Sequence, residues 1–151
     1  MKQLRIQQPN PKQALFLKAK TKHVAFGGAR GGGKSWAVRV KAQLLALRYP
    51  GIRILIVRRT YEELRQNHIQ QLRVELNGIA RYNVTEKQFS FPNGSVIQFG
   101  YCAKDADLDR YQGAEYDVIF LDEATQLSEH QMKTITACVR GVNRFPKRVY
   151  Y

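Results

Sequence analysis

"VAFGGARGGGKSW", residues 24–36, sets five glycines, a lysine and a serine directly behind a short apolar run. Glycine is favoured where a backbone must turn left-handed or come very close to a ligand. Gly28, four further residues and then Gly33-Lys34-Ser35 fit the spacing G-x-x-x-x-G-K-[ST], in which successive backbone N–H groups surround phosphate oxygens. That motif needs a strand before it and a helix after it. "HVAFGG" reads as a buried strand, and "KSWAVRVKAQLLALRYP" as a helix that stops before Pro50. On this reading the loop Gly28, Ala29, Arg30, Gly31, Gly32 and Gly33 cradles the phosphates of a nucleotide. Lys34 reaches the β and γ oxygens, and the Ser35 hydroxyl ligates magnesium.

Outward from the loop, short apolar strands alternate with amphipathic helices. "RILIVR" (53–58) is the next strand and feeds "TYEELRQNHIQQLRVELNG". There Thr60 and Glu63 have capping-box spacing, Leu64, Leu72 and Leu76 share one helical face, and Asn77-Gly78 ends the helix. Residues 82–101 alternate around Pro92-Asn93-Gly94, which predicts an antiparallel β-hairpin insertion. "YDVIFLD" (116–122) is the near-continuous apolar run of a strand buried on both faces of a parallel sheet. Ser128 and Gln131 cap a helix through about Val139, and "KRVYY" is a last strand. The order is that of an α/β fold with a mostly parallel sheet.

With 151 residues, 44% of them hydrophobic, the chain suffices for one cored domain. No apolar run approaches the roughly 18 residues that span a membrane, and "MKQLRIQQPN" lacks the apolar core of a secretory signal. The expectation is a soluble, intracellular chain with no membrane partner. Cys102 and Cys138 form no C-x-x-C pair and have no histidine nearby, which predicts two buried reduced thiols.

The formal charge of +13 is uneven: residues 1–75 hold 16 Lys and Arg against 3 Asp and Glu, whereas residues 76–151 hold 9 against 9. A positive field around the glycine-rich loop either attracts polyanions or simply solvates the surface. Charge alone does not separate the two.

A phosphate loop needs a carboxylate for the magnesium shell, and "VIFLDEA" supplies Asp122 at the end of a buried strand with Glu123 next to it. Asp122 suits the metal or its waters, and Glu123 suits polarisation of an attacking water. Arg30, inside the loop, either offsets charge developing on the γ-phosphate, an effect worth about 10³ to 10⁵ in rate, or points to solvent or to a carboxylate. Arg58 and Arg59 follow a strand at its carboxyl end, where open α/β sheets place ligands. They either touch phosphate or a neighbouring subunit, or pair with Glu62 or Glu63. Asp105, Asp107 and Asp109 alternate as in a calcium loop, but Arg110 stands where its glycine belongs and Tyr116 where its glutamate belongs, so the segment reads as a loop or helix start. Arg110, Gln112 and Gly113 either face DNA or the next subunit or form a structural turn. His23, His68 and His130 lack metal-ligand spacing and are assigned no chemistry. Trp36 reads as core packing.

Together these residues resemble the ATPase domain of the large terminase subunit, the motor that packages DNA into tailed-phage and related viral capsids. "NPKQALFL" is similar to that family's adenine-recognition element, with Gln13 as the side chain reading the base edge. "GGARGGGKSW" is similar to its variant P-loop with an early arginine, and "LIVRRTYEELRQN" and "YQGAEYDVIFLDEATQ" also resemble family text. The resemblance implies a P-loop NTPase of the additional-strand catalytic-glutamate class, in which the strand at "KRVYY" lies between the P-loop strand and the Walker-B strand. It further implies ATP and Mg²⁺ as cofactors, double-stranded DNA, the small terminase subunit and the portal protein as partners, and a homo-oligomer in the host cytoplasm.

Family members continue past "KRVYY" into a coupling motif, more ATPase domain and a nuclease domain, so the resemblance implies that residues 1–151 are an incomplete N-terminal ATPase domain, expected to self-associate or to fold marginally. The rival readings are a helicase or recombinase-like P-loop ATPase, and a catalytically silent nucleotide-binding fragment.

Overall fold

A computed structural model describes residues 4, 6, 8–19, 22–25, 33–140 and 143–151. In chain order the elements are α1 (Pro11–Lys18), β1 (His23–Val24), α2 (Gly33–Arg48), β2 (Arg53–Arg58), α3 (Tyr61–Leu64), a π turn (Arg65–Ile69) and α4 (Gln70–Glu75). They continue with β3 (Arg81–Asn83), β4 (Gln88–Ser90), β5 (Val96–Tyr101), a 3-10 turn (Asp105–Tyr111), β6 (Val118–Leu121), a short 3-10 turn (Ala124–Gln126), α5 (Glu129–Thr136) and β7 (Arg148–Tyr150).

The strands form one sheet in the order β1-β7-β6-β2-β5-β4-β3. The five strands from β1 to β5 in that order are parallel, and β4 and β3 add an antiparallel edge. β7 thus lies between β1 and β6, the place that the additional-strand class requires for "KRVYY".

The turn at Pro92-Asn93-Gly94 forms where expected, with Gly94 at φ +88. Its second strand is no separate excursion, however. All six residues of β5 run parallel to β2, because Ile97 and Phe99 are apolar enough to be buried in the main sheet. α5 ends three residues before Val139, which is drawn instead into a bridge with Tyr116.

Strand alternation divides the core into two layers. Ile54, Ile56 and Phe120 face α2, while Leu55, Val57, Ile119 and Leu121 face α5. Both faces of the central strands are therefore covered, which explains their unbroken apolar runs. Phe16 of α1, Phe120 and Tyr150 stack into one aromatic cluster, with Phe120 and Tyr150 centroids 4.7 Å apart. Trp36 packs at the margin of this layer, as expected.

Local signals hold the helices where they are. Asn10 and Gln13, Thr60 and Glu63, and Ser128 and Gln131 each form a reciprocal capping box. Leu64, Leu72 and Leu76 are fully buried, and Gly78 at φ +80 lets the chain reverse after α4. Asp107 does not line a metal loop but accepts from the backbone N–H groups of Ala103 and Lys104 at the start of the 3-10 turn. Cys102 and Cys138 are free and buried, and burial pushes the Cys102 thiol up to about 11.

Phe120 lies two residues before Asp122 on the same sheet face, inside the aromatic cluster of the α2 layer. Replacing Phe120 with alanine is expected to cost about 3–5 kcal/mol of stability, read as a lower urea midpoint. An unchanged midpoint would mean that this layer is not the core.

Candidate functional site

Asp122 follows β6 directly, and its backbone N–H donates to the Val57 carbonyl at 3.0 Å, extending the ladder with β2 by one residue. Because side chains alternate along a strand, Asp122 inherits the face of Phe120 and points toward α2. There Ser35, in the first turn of α2, donates its hydroxyl to Asp122 Oδ2 at 2.9 Å. The structure thereby joins the end of the glycine-rich motif to the end of the buried strand, 87 residues apart.

Two more donors converge on that oxygen. Arg58 Nη1 lies 3.0 Å from Oδ2 and His68 Nε2 lies 2.7 Å from it. The other carboxylate oxygen, Oδ1, is buried and accepts no hydrogen bond from the described residues. Burial opposes charge on Asp122, but the hydrogen bonds from His68 and Ser35 and the Arg58 guanidinium outweigh it, so the carboxyl stays below its ordinary range. Burial has the upper hand at His68 and holds its imidazole below the ordinary value despite Asp122. Nε2 is the ring nitrogen that faces the carboxylate and donates to it.

Glu123 leaves the strand with φ +59 and ψ +47, a left-handed conformation unusual for a residue with a side chain. Its carboxylate is partly exposed and sits 3.8 Å from Arg58 Nη1. Asp122 and Glu123 thus face different surroundings, one sealed and one open to solvent. Such divergence suits a pair with separate roles.

Gln13 is buried against the start of α2, where its Nε2 donates to the Gly33 carbonyl at 3.0 Å while its Oε1 accepts from the Asn10 backbone N–H. Gly33 opens α2, and Lys34 beside it is half-buried. Gly28, Ala29, Arg30, Gly31 and Gly32 lie outside the described residues. A cavity of about 750 Å³ opens elsewhere, between α1, α2 and β7, lined by Leu17, Lys41, Leu44, Leu47 and Arg148 among others. No residue of the Asp122 cluster lines it.

Two members of the cluster differ from the sequence reading. Arg58 pairs with Asp122 and Glu123 rather than with Glu62 or Glu63, because Glu62 is taken by Arg65 and Glu63 by the Thr60 cap. His68, assigned no chemistry, is fully buried on Asp122. Its signal was positional, since it falls midway between Leu64 and Leu72 on the apolar helix face. Arg110 lies over the Tyr101 ring at 3.9 Å beside the turn at Gly113, φ +76.

Ser35 and Asp122 offer a hard metal ion only oxygen ligands, and the orphaned Oδ1 is a buried acceptor in need of a positive partner. Those residues fit magnesium, which prefers such oxygen sets.

Residues 25–137 match the terminase large subunit, T4-like-virus type, N-terminal family. The chain belongs to that family. The fold is also that of the large terminase from a thermophilic bacteriophage: one crystal form aligns with TM-score 0.74 at 16% identity, covering 95% of this chain and 39% of that one. The same phage protein in complex with ADP aligns with TM-score 0.75, and in complex with ATP-γ-S with 0.72, both at 16% identity. The chain thus spans about two fifths of the length of these structural relatives. No curated protein sequence matches it.

Two outcomes test this geometry. Glycine adopts positive φ without the penalty that burdens alanine, so Glu123→Gly should be more stable than Glu123→Ala by about 1 kcal/mol. Equal denaturation midpoints would remove the strain. Removing a cation from a carboxylate of depressed pKa raises that pKa toward its unfolded value. The stability that Asp122 adds above the unfolded pKa is then lost at higher pH. Arg58→Met should therefore shift the acid-unfolding midpoint upward, and an unshifted midpoint would show that Arg58 does not compensate Asp122.

Proposed function

We propose that the chain is the ATP-binding and ATP-hydrolysing part of a motor that drives double-stranded DNA into a viral capsid. The observation that carries this reading is the Ser35 hydroxyl on Asp122, the meeting of phosphate-loop helix and acidic strand end on which P-loop hydrolysis depends. Membership of the large terminase family supports it, as do the ADP and ATP-γ-S complexes of the thermophilic phage protein.

In this mechanism the backbone N–H groups from Gly28 to Ser35 and the N-terminus of α2 bind the phosphates. Lys34 reaches the β and γ oxygens, and Arg30 offsets charge that develops on the γ-phosphoryl group. Gln13, already at the start of α2, turns its amide to the base edge in exchange for its bond to Gly33. Ser35 and Asp122 hold magnesium, which when bound neutralises phosphate charge as a Lewis acid. Glu123, open to solvent, accepts the proton of the attacking water.

The positive first half of the chain meets the DNA backbone. The partners are the small terminase subunit, the portal protein and further copies of the chain, in the host cytoplasm.

Lys34→Ala should abolish ATP binding, and Glu123→Gln should keep binding while lowering turnover by about 10² to 10⁴. Duplex DNA should stimulate turnover, less so as salt rises. Unimpaired hydrolysis in Glu123→Gln would remove the assigned base, and DNA strand separation would favour a helicase instead.

A further inference from the structure

Asp122 distributes its hydrogen bonds one-sidedly. Ser35, Arg58 and His68 all donate to Oδ2, and Oδ1 is left buried with no donor among the described residues. A carboxylate in a polar site free to rotate would spread three donors over both oxygens. Something fixes its plane.

Ser35 is a poor candidate, since its hydroxyl rotates freely. Arg58 carries its guanidinium on a long stem and also approaches Glu123 at 3.8 Å. His68 differs from both. Its ring turns about only two bonds, it is fully buried, and it makes the shortest of the three bonds.

The helix is also built to deliver it. In a regular α-helix residues four apart drift by about 40° around the axis, so Leu64, His68 and Leu72 would spiral across a stripe about 80° wide. The π turn over Arg65–Ile69 is wider, and all three side chains are fully buried. Such turns are uncommon and tend to occur at functional sites. An apolar residue would fill this face between leucines at less cost than a histidine whose Nδ1 is buried without a partner among the described residues. The bond that offsets the burial of the imidazole is the one to Asp122.

We propose that His68 is a positioning residue, held by the π turn, that pins Oδ2 of Asp122 and so presents Oδ1 to the magnesium of a bound nucleotide. The inference rests on reading the cluster as an ATP site. His68 touches neither nucleotide nor metal; it acts through Asp122. Partners of this kind around a metal ligand typically change affinity by about 10- to 100-fold.

The test is the affinity for ADP measured by calorimetry with magnesium and again with EDTA, in the wild type, His68→Leu and His68→Gln. The expected result is a magnesium-dependent gain in the wild type, a gain about 10-fold or more smaller in His68→Leu with unchanged affinity in EDTA, and recovery in His68→Gln, whose amide N–H can reach Asp122. If His68→Leu does not fold, His68→Met takes its place as the variant without a donor. A full magnesium gain without a donor, or equal loss in His68→Gln, overturns the inference. A wild type with no magnesium-dependent gain overturns the reading of the site itself, and the inference with it.

Discussion

A carboxylate sealed inside a protein is tolerated only with compensating charge and hydrogen bonds, and the arrangement of this molecule answers to that requirement at Asp122. Ser35, Arg58 and His68 come from α2, β2 and the π turn before α4, three elements separated in sequence and brought to one point by this side chain. Each donor belongs to a different element, so the carboxylate is compensated only where all three pack together. The site is thus a property of the tertiary fold and not of any segment.

The sheet makes that convergence possible. Parallel β2 and β6 end side by side, so Arg58 and Asp122 emerge at the same edge. β7 spaces β6 from β1, the strand that leads into the glycine-rich loop, and α2 then runs back across the face that Phe120 and Asp122 share. Asp122 turns inward with the strand alternation, whereas Glu123 escapes it through a left-handed backbone and stays open to solvent. One residue step and one unusual φ separate the sealed carboxylate, proposed to hold a metal ion, from the partly exposed one proposed to activate water.

Much of this is legible in the chain itself. The apolar runs at 53–58 and 116–122 and the capping pairs at Thr60 and Ser128 are local signals, and these survive into structure. What the chain does not announce is long-range: the partner of Arg58 lies 64 residues away and that of His68 54. Glu62 and Glu63 look like nearer partners for Arg58 but are taken by neighbours on their own helix. The π turn has no composition cue, and without it His68 is merely one polar residue among leucines.

Asp122 gives one oxygen to the fold, and on the proposed reading it gives the other to a metal ion. Crystals of the protein grown with ADP and manganese in place of magnesium test it most directly, because the anomalous signal of manganese locates the ion independently of its surroundings. The expected result is an ion beside Ser35 on the Oδ1 side of Asp122, with His68 still bonded to Oδ2. An ion held away from Asp122, or an Asp122 that has turned Oδ2 toward it and abandoned His68, would contradict it.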